Sequence, residues 1–500
     1  MAALILTLDV GTSSVRAMLF ATDGDMRGRP LPDSETQIKY SVDTTSDGGV
    51  TLDPAMLYDN TLKVIDGVLD KVPGGDTVAA VAMDTLWHST LGVDEGGENI
   101  TPLYLYSDGR AAGAAATLRT MLDPRAVHDR TGCVLHPSYL PARLLWLSEA
   151  QPDIYRRVAR WHSFGEYLYL RLFGRTVVSY SMASGTGLLD VHKLAWDPEV
   201  LRAIALDPEK LAPLGDRDTR LGPITGEWAR RWPLLKDAPW FPALGDGACS
   251  NIGSGCATPA RINLTVGTTG ALRVVPATSD AAVREGLFLY RVDKGRPLIG
   301  GATSEGGNLF AWMRDTMQFD PVPKLDAELA ALEPDGHGLT VLPFIAGERA
   351  PGWVDRATAT ISGLTQATRP IDILRAGLEA IAYRFALILA RLADVAAVGA
   401  PVIASGGSLL SSPAWMQIVA DVLDRPVMAL DEKESTSRGA ALLALESLGL
   451  LPDAADAPSA FGATYEPDRA RHARYTQAIA RQTHLYDLLI APQAPEKGNK

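Results

Sequence analysis

Cysteine is scarce, with only Cys133, Cys249 and Cys256 in 500 residues. So small and odd a number excludes a disulfide framework and sets the expectation of a reducing, cytoplasmic location. Cys249 and Cys256 lack the spacing of a zinc site and are expected as buried free thiols. Positive charge is also short: 47 Lys and Arg against 59 Asp and Glu leave a net charge of −12. Duplex nucleic acid is held largely by cations that displace counterions from phosphates, so no nucleic-acid partner is expected. No apolar run nears the roughly 18 residues of a membrane span, and Met1 to Asp9 lack the basic start of a secretion signal, so no membrane partner is expected. The Gly-x-x-x-x-Gly-Lys-Ser/Thr loop is absent, which removes a Walker-type nucleotide site. Gly253-Ser-Gly255 has Thr258 where a dinucleotide fingerprint needs its third glycine. Any phosphate ligand must then be small and held by local backbone donors or a metal.

What the chain does have is apolar bulk in alternating patterns. At 46% hydrophobic it can fill sizeable cores, and its length exceeds what one core usually holds, so two or three domains are expected. Strand-like and helix-like stretches alternate, the pattern of an α/β protein. Residues 4–8 and 15–20 read as a strand and its hairpin partner, and residues 78–83 as another strand. Apolar residues at three-and-four spacing predict a helix over 372–392, led by Pro370. Ser412 and Pro413 predict the start of another, running to Leu423 and stopped by Pro426. The final ten residues read as a loose polar tail.

An internal echo is the most informative feature. Leu8-Asp9-Val10-Gly11-Thr12-Ser13-Ser14-Val15 returns 256 residues later as Leu264-Thr265-Val266-Gly267-Thr268-Thr269-Gly270-Ala271. A strand-turn-strand unit repeated at half the chain length suggests two related α/β domains facing each other across a cleft. Turns of glycine and small hydroxyl residues can aim several N–H groups into one concavity, the chemistry of an anion site. Asp9 in the first copy is Thr265 in the second. A carboxylate beside a phosphate turn repels the ligand unless a cation intervenes, so Asp9 is expected to face Mg²⁺. Ser405-Gly406-Gly407 before a helix start reads either as an ordinary loop or as a place where a flat or anionic ligand meets backbone. Asp246, between Gly245 and Gly247, reads as a plain turn or as a base that receives a hydroxyl proton, with the glycines admitting substrate.

Together these segments resemble the FGGY family of carbohydrate kinases, within the actin-like ATPase superfamily. The resemblance runs in order through Asp9 to Ser13, Gly245-Asp246-Gly247, Val266 to Thr269, Gly301 to Asn308, Leu342 to Trp353 and Ser405 to Ser408. A second signature, Ala359 to Leu364 followed by Asp372 to Glu379, carries Gly377 at a position more often small or aliphatic. Arg143 stands where relatives usually have Lys. The resemblance implies two RNase-H-like domains: residues 1–249 mainly for sugar and 250–450 mainly for ATP, followed by an extension over 451–490 and the tail at 491–500. It implies Asp246 as catalytic base, Asp9 on Mg²⁺, Gly11-Thr12-Ser13 and Gly267-Thr268-Thr269 on the phosphates of ATP, and Gly406-Gly407 against the adenosine. A small-molecule sugar or sugar acid is the implied partner, and because relatives often pair, a homodimer is an expectation of the resemblance.

For the sugar, Thr85-Leu-Trp87-His88-Ser89 is similar to the gluconokinase form of the family's sugar segment, as are Thr131 to Tyr139 and Ser181 to Asp190. Trp87 can cover an apolar sugar face, and His88 can donate to hydroxyls. Tyr106-Ser-Asp108-Gly-Arg110 matches the family's Trp-x-Asp-x-Arg, with Asp108 and Arg110 either on substrate or paired with each other. Gly49-Val-Thr51-Leu-Asp53-Pro54 lacks the Trp and Glu of many relatives, which leaves a polyol contact or a loop support unassigned. Gluconate is the expected substrate, with xylulose or another pentulose or polyol as the alternative. A non-kinase actin-like ATPase would keep both turns without needing Asp246 or the His88 segment.

Overall fold

The hairpin predicted at the start forms because Leu4, Ile5, Leu6, Leu8 and Val10 give a nearly unbroken apolar run, the signature of a strand covered on both faces. The structure is a computed structural model and describes residues 2–319 and 322–490. β1 (Ala3–Val10) and β2 (Ser14–Ala21) pair antiparallel, and β3 (Thr36–Lys39) adds to β2. β4 (Thr77–Thr85) runs parallel to β1, and the short β5 (Leu244–Gly245) runs parallel to β4. The order is β5-β4-β1-β2-β3.

The second sheet repeats this plan. β6 (Ile262–Val266) and β7 (Gly270–Val274) form the matching hairpin. β8 (Phe288–Arg291) and β9 (Pro297–Thr303) extend it antiparallel on the β7 side. β10 (Val402–Ser405) and β11 (Val427–Leu430) extend it parallel on the β6 side, and β12 (Phe461–Tyr465) closes that edge. Thus β1, β2 and β4 correspond in topology to β6, β7 and β10, the duplication read from the echo.

The two long helices arise as their patterns require. Helix Pro370–Ala390 buries its apolar face, and Gly377 is there because a Cβ would stand 2.6 Å from the Met313 sulfur of helix Gly307–Met317. Helix Pro413–Leu423 is capped by Ser412, whose Oγ accepts from the Trp415 N–H, and it ends on left-handed Asp424, before Pro426. All three cysteines are buried and free. No described helix is long and apolar enough to cross a membrane. The tail expected at 491–500 lies outside the described residues.

Helix Asp246–Gly253 leads from β5 toward the second sheet, so a border at 249/250 falls inside it. It lies directly on helix Ser435–Ser447, which also packs on β1 and β4. The contact is backbone to backbone: a Cβ on Gly253 would stand 1.8 Å from the Ser435 carbonyl oxygen, and one on Gly439 1.8 Å from that of Cys249. Neither obstacle is a side chain that could rotate away. Gly439→Ala should therefore destabilise the protein by about 1–3 kcal/mol, seen as a lower midpoint of thermal unfolding; an unchanged midpoint would show that the helices part freely.

Candidate functional site

The carboxyl ends of β1, β4 and β5 converge on a cavity of about 400 Å³ between the two sheets. Its first wall carries Asp9, the turn at Gly11 to Ser14, Trp87, His88 and Asp246; its second carries Thr265, Gly267 to Ala271, Arg273, Tyr290 and Arg349. A neighbouring cavity of about 470 Å³ adjoins it, sharing Tyr106, Thr268, Thr269 and Arg349 and reaching Asp108 and His136.

Three carboxylates meet here. Parallel pairing sets Asp84 beside Asp9, and Asp246 begins the helix after β5. Burial raises the Asp246 carboxyl above the ordinary Asp range, opposed by the Arg273 guanidinium and the Gly247 N–H, which donates at 2.8 Å. Burial likewise raises Asp9 against the pull of Arg16, which stands 3.7 Å away. Arg16 also bridges Glu35 at 2.9 Å and contacts Glu434, so its charge is shared. Asp84 is fully buried, no N–H or hydroxyl donor reaches its oxygens, and burial plus the charges of Asp9 and Asp246 and contact with the Asp9 carboxyl push it well above the usual range. The adjoining carboxylate oxygens of Asp9 and Asp84 suit a hard divalent cation, so these residues fit the Mg²⁺ that the sequence implies.

The glycines beside Asp246 serve a different purpose from the one expected. A Cβ on Gly245 would stand 1.9 Å from the Trp87 indole, and one on Gly247 2.7 Å from it. They make room for Trp87, whose Nε1–H donates to the Ser181 carbonyl at 2.9 Å, rather than for substrate. His88 also differs from expectation. Its Nδ1 lies 2.5 Å from the Gly185 carbonyl, which can only accept, so Nδ1 carries the proton and Nε2 is an acceptor. Burial, aided by Arg349, pushes its pKa down to about 3, and the ring is neutral at physiological pH. Toward the cavity, the neutral His88 ring thus offers an acceptor rather than a donor. Its backbone sits at φ 62°, and the buried Arg143 holds it there, donating to the His88 carbonyl at 2.7 Å and to that of Leu105 at 2.6 Å.

Tyr139 lies edge-on to His88 with ring centroids 5.1 Å apart, and its hydroxyl meets that of Tyr290 at 2.6 Å. It backs the cavity rather than lining it. Asp108 and Arg110 pair with each other: Arg110 Nε donates to Asp108 Oδ1 at 3.0 Å and Nη2 to Oδ2 at 2.5 Å. The guanidinium lies 4.7 Å from the Trp146 ring, and the Val50 N–H donates to Asp108. The pair thus props the segment that lacks the family's Trp and Glu, and Arg110 lines neither cavity.

Both glycine turns have their carbonyls occupied and N–H groups left over. The Tyr40 hydroxyl donates to the Gly11 carbonyl at 2.6 Å. In the second turn the N–H groups of Gly307 and Asn308 donate to the carbonyls of Gly267 at 2.8 Å and Thr268 at 3.1 Å. The N–H groups of Thr12, Ser13, Thr268 and Thr269 have no backbone acceptor among the described residues. Gly406, at φ 92°, is pressed on Val266, where a Cβ would stand 2.3 Å from the carbonyl oxygen; Gly407 faces open space. A side chain at Gly406 would thus be excluded by Val266, whereas one at Gly407 would meet nothing.

The description "FGGY family of carbohydrate kinases, N-terminal domain" matches residues 4–253, and the corresponding C-terminal domain matches residues 262–448. The chain belongs to the FGGY family of carbohydrate kinases. A gluconokinase of Bacillus subtilis is 26% identical over 477 residues, 93% of this chain and 91% of its own. A gluconate kinase from Lactobacillus acidophilus superposes with a TM-score of 0.89 at 26% identity, covering 98% of this chain and 99% of that one. A xylulose kinase from the same organism does so with a TM-score of 0.90 at 26% identity, covering 97% and 98%. The enzyme is accordingly a sugar kinase with the two-domain actin-like ATPase fold.

Three residues of this FGGY kinase's cleft, and the buried Asp84 beside Asp9, escape sequence reasoning. Asp84 looks like the end of an apolar strand, and Tyr290 arrives on the edge strand β8. Arg273 follows the second turn by four positions, and its alternation into the cleft was the available signal. Arg349 lies inside a recognised segment without a distinguishing neighbour. Because the Arg273 charge favours ionised Asp246, Arg273→Gln should raise the Asp246 pKa and move the acidic limb of kcat/KM to higher pH. Rates measured from pH 5 to 9 should show no further limb from His88, which stays neutral there; an unmoved acidic limb would uncouple Arg273 from the base.

Proposed function

We propose that this FGGY kinase transfers the γ-phosphoryl group of ATP to a terminal hydroxyl of a sugar acid, most simply gluconate, in the cytoplasm. The observation that carries the sugar-acid part is a pair of guanidinium groups lining the same cavity as His88. Arg273 hydrogen-bonds only neutral Asn263, at 3.3 Å, and Arg349 lies against the rings of Tyr106 and Trp353 at 5.3 and 5.8 Å with its Nε unpartnered. Neither forms a salt bridge among the described residues. Cations so placed favour an anionic substrate, and the gluconokinase relatives point the same way.

Asp246 takes the hydroxyl proton as the substrate oxygen bonds to the γ phosphorus and the bond to the β–γ bridging oxygen breaks. The free N–H groups of the two turns hold phosphate oxygens, His88 Nε2 accepts from a sugar hydroxyl, and Trp87 with Tyr290 covers the apolar sugar face. Asp9 would hold Mg²⁺, which when bound supplies charge neutralisation at the transferred phosphoryl group. Closure of the halves excludes water from the reacting centre.

Asp246→Asn should lower kcat by about 10²–10⁴-fold with an unchanged circular dichroism spectrum; near-normal turnover would remove Asp246 from the role of base. A neutral ketose is the second reading, supported by the fold match to the xylulose kinase. Coupled ADP-release assays decide between them. Arg349→Met and Arg273→Met should each raise KM for gluconate about 10–100-fold, the worth of a lost charge-assisted hydrogen bond, while altering KM for xylulose far less. Equal losses on both substrates would end the sugar-acid reading.

A further inference from the structure

The common topology of the two sheets gives each position in the first a counterpart in the second. Asp9 stands beside Asp84 across β1 and β4; Thr265 stands beside Ser405 across β6 and β10. In the second sheet the pair is neutral and self-sufficient, since the hydroxyls of Thr265 and Ser405 hydrogen-bond each other at 2.9 Å. In the first sheet the same two places hold carboxylates that meet each other, and no N–H or hydroxyl donor reaches either oxygen of Asp84 although the residue is 0% exposed. A serine or asparagine could fill this place without bringing a second anion next to Asp9. The available cations do not answer it either: Arg16 divides its charge among Asp9, Glu35 and Glu434, and Arg273 stands on the Asp246 side. Two adjoining carboxylates that share a single divided cation, Arg16, form the oxygen donor set of a small, hard divalent ion.

We propose that Asp84 is a second protein carboxylate for the divalent cation, so that Asp9 and Asp84 together bind the ion in the first half of the molecule before nucleotide arrives. This rests on the reading of Asp9 as the cation-facing residue. Held between two protein carboxylates, the ion reaches the phosphate turn from the protein side, and an incoming polyphosphate meets a surface already neutralised.

Mn²⁺ titrated into the full-length, nucleotide-free enzyme, with free Mn²⁺ read by electron paramagnetic resonance, tests the proposal. The native chain should bind one Mn²⁺, and Asp84→Asn and Asp84→Ser should weaken that binding by about 10–100-fold and lose the Mn²⁺-dependent rise in melting temperature. Asp84→Ser reproduces the hydroxyl of the second sheet and keeps the test available if Asp84→Asn folds poorly. No Mn²⁺ binding by the native chain, or binding by both Asp84 variants equal to it, overturns the proposal. Asp9→Asn separates the two readings. If it weakens Mn²⁺ binding while the Asp84 variants do not, Asp84 has no part and Asp9 keeps its own; if none of the variants matters, both readings fail.

Discussion

Carboxylates do not gather away from water without compensation, because each loses hydration and repels its neighbours. In this FGGY kinase three of them gather at the ends of three adjacent strands, and the surrounding structure is arranged around that cost. The ladders leave no choice of position: parallel register sets Asp84 beside Asp9, and β5 delivers Asp246 at the first turn of its helix. Compensation comes from several sides. Arg16 leans on Asp9, Arg273 on Asp246, and the helix from Asp246 to Gly253 directs its N-terminal partial charge at the cluster. That helix can take this line only because Gly253 and Gly439 let it lie against the helix from Ser435. A helix-packing contact thus sets where Asp246 stands.

The sugar side depends on the same economy of space. Trp87 occupies the volume left by Gly245 and Gly247, which brings one indole against both the Asp246 segment and the cavity. Arg143 fixes the strained backbone of His88 from behind, and Gly185 fixes its tautomer. Tyr290 comes from the other sheet, with its ring centroid 4.9 Å from that of Trp87 and its hydroxyl on Tyr139. The pocket is therefore completed only when the halves meet. Arg217 of the first half is held by Asp293 and Glu446 of the second, carboxylates that Arg296 also bridges within its own half, and this ties the halves further along the same seam. Motion between the halves would open the sugar pocket and the phosphate turns together, which is how closure can be linked to the presence of both substrates.

Much of this was legible in the sequence where chemistry is local. The duplicated turns, the hairpins around them, Asp9, Asp246 and the caps of two helices follow from short patterns whose physics does not need the rest of the chain. What was not legible depends on partners distant in sequence. The glycines beside Asp246 look like room for substrate until Trp87 is seen to fill it. His88 reads as a donor until the carbonyl of Gly185, 97 residues on, takes its only proton. Asp108 and Arg110 could be assigned to substrate or to each other from spacing alone, and only the stack of Arg110 on Trp146 decides in favour of the pair. Asp84 was hidden for a simpler reason: a single acid at the end of an apolar strand resembles a strand terminus, and its meaning lies in the strand beside it.

The duplication also explains how a chain with a net charge of −12 can take a polyanion. Each half offers a turn with free N–H groups, but the two differ in what stands behind it: carboxylates behind Ser13, hydroxyls behind Thr269. A polyphosphate bound to both turns meets repulsion at one end only, so the phosphate nearest Asp9 is the one that must carry a cation. That end is also beside Asp246, the candidate base. The neutral end adjoins Gly407 and its open space, where an uncharged nucleoside costs nothing electrostatically. Divergence of one strand pair from hydroxyls to carboxylates is enough to give a symmetric cleft a direction, and on the proposed reading that direction puts the cation and the proton-accepting Asp246 at the same end of the cleft.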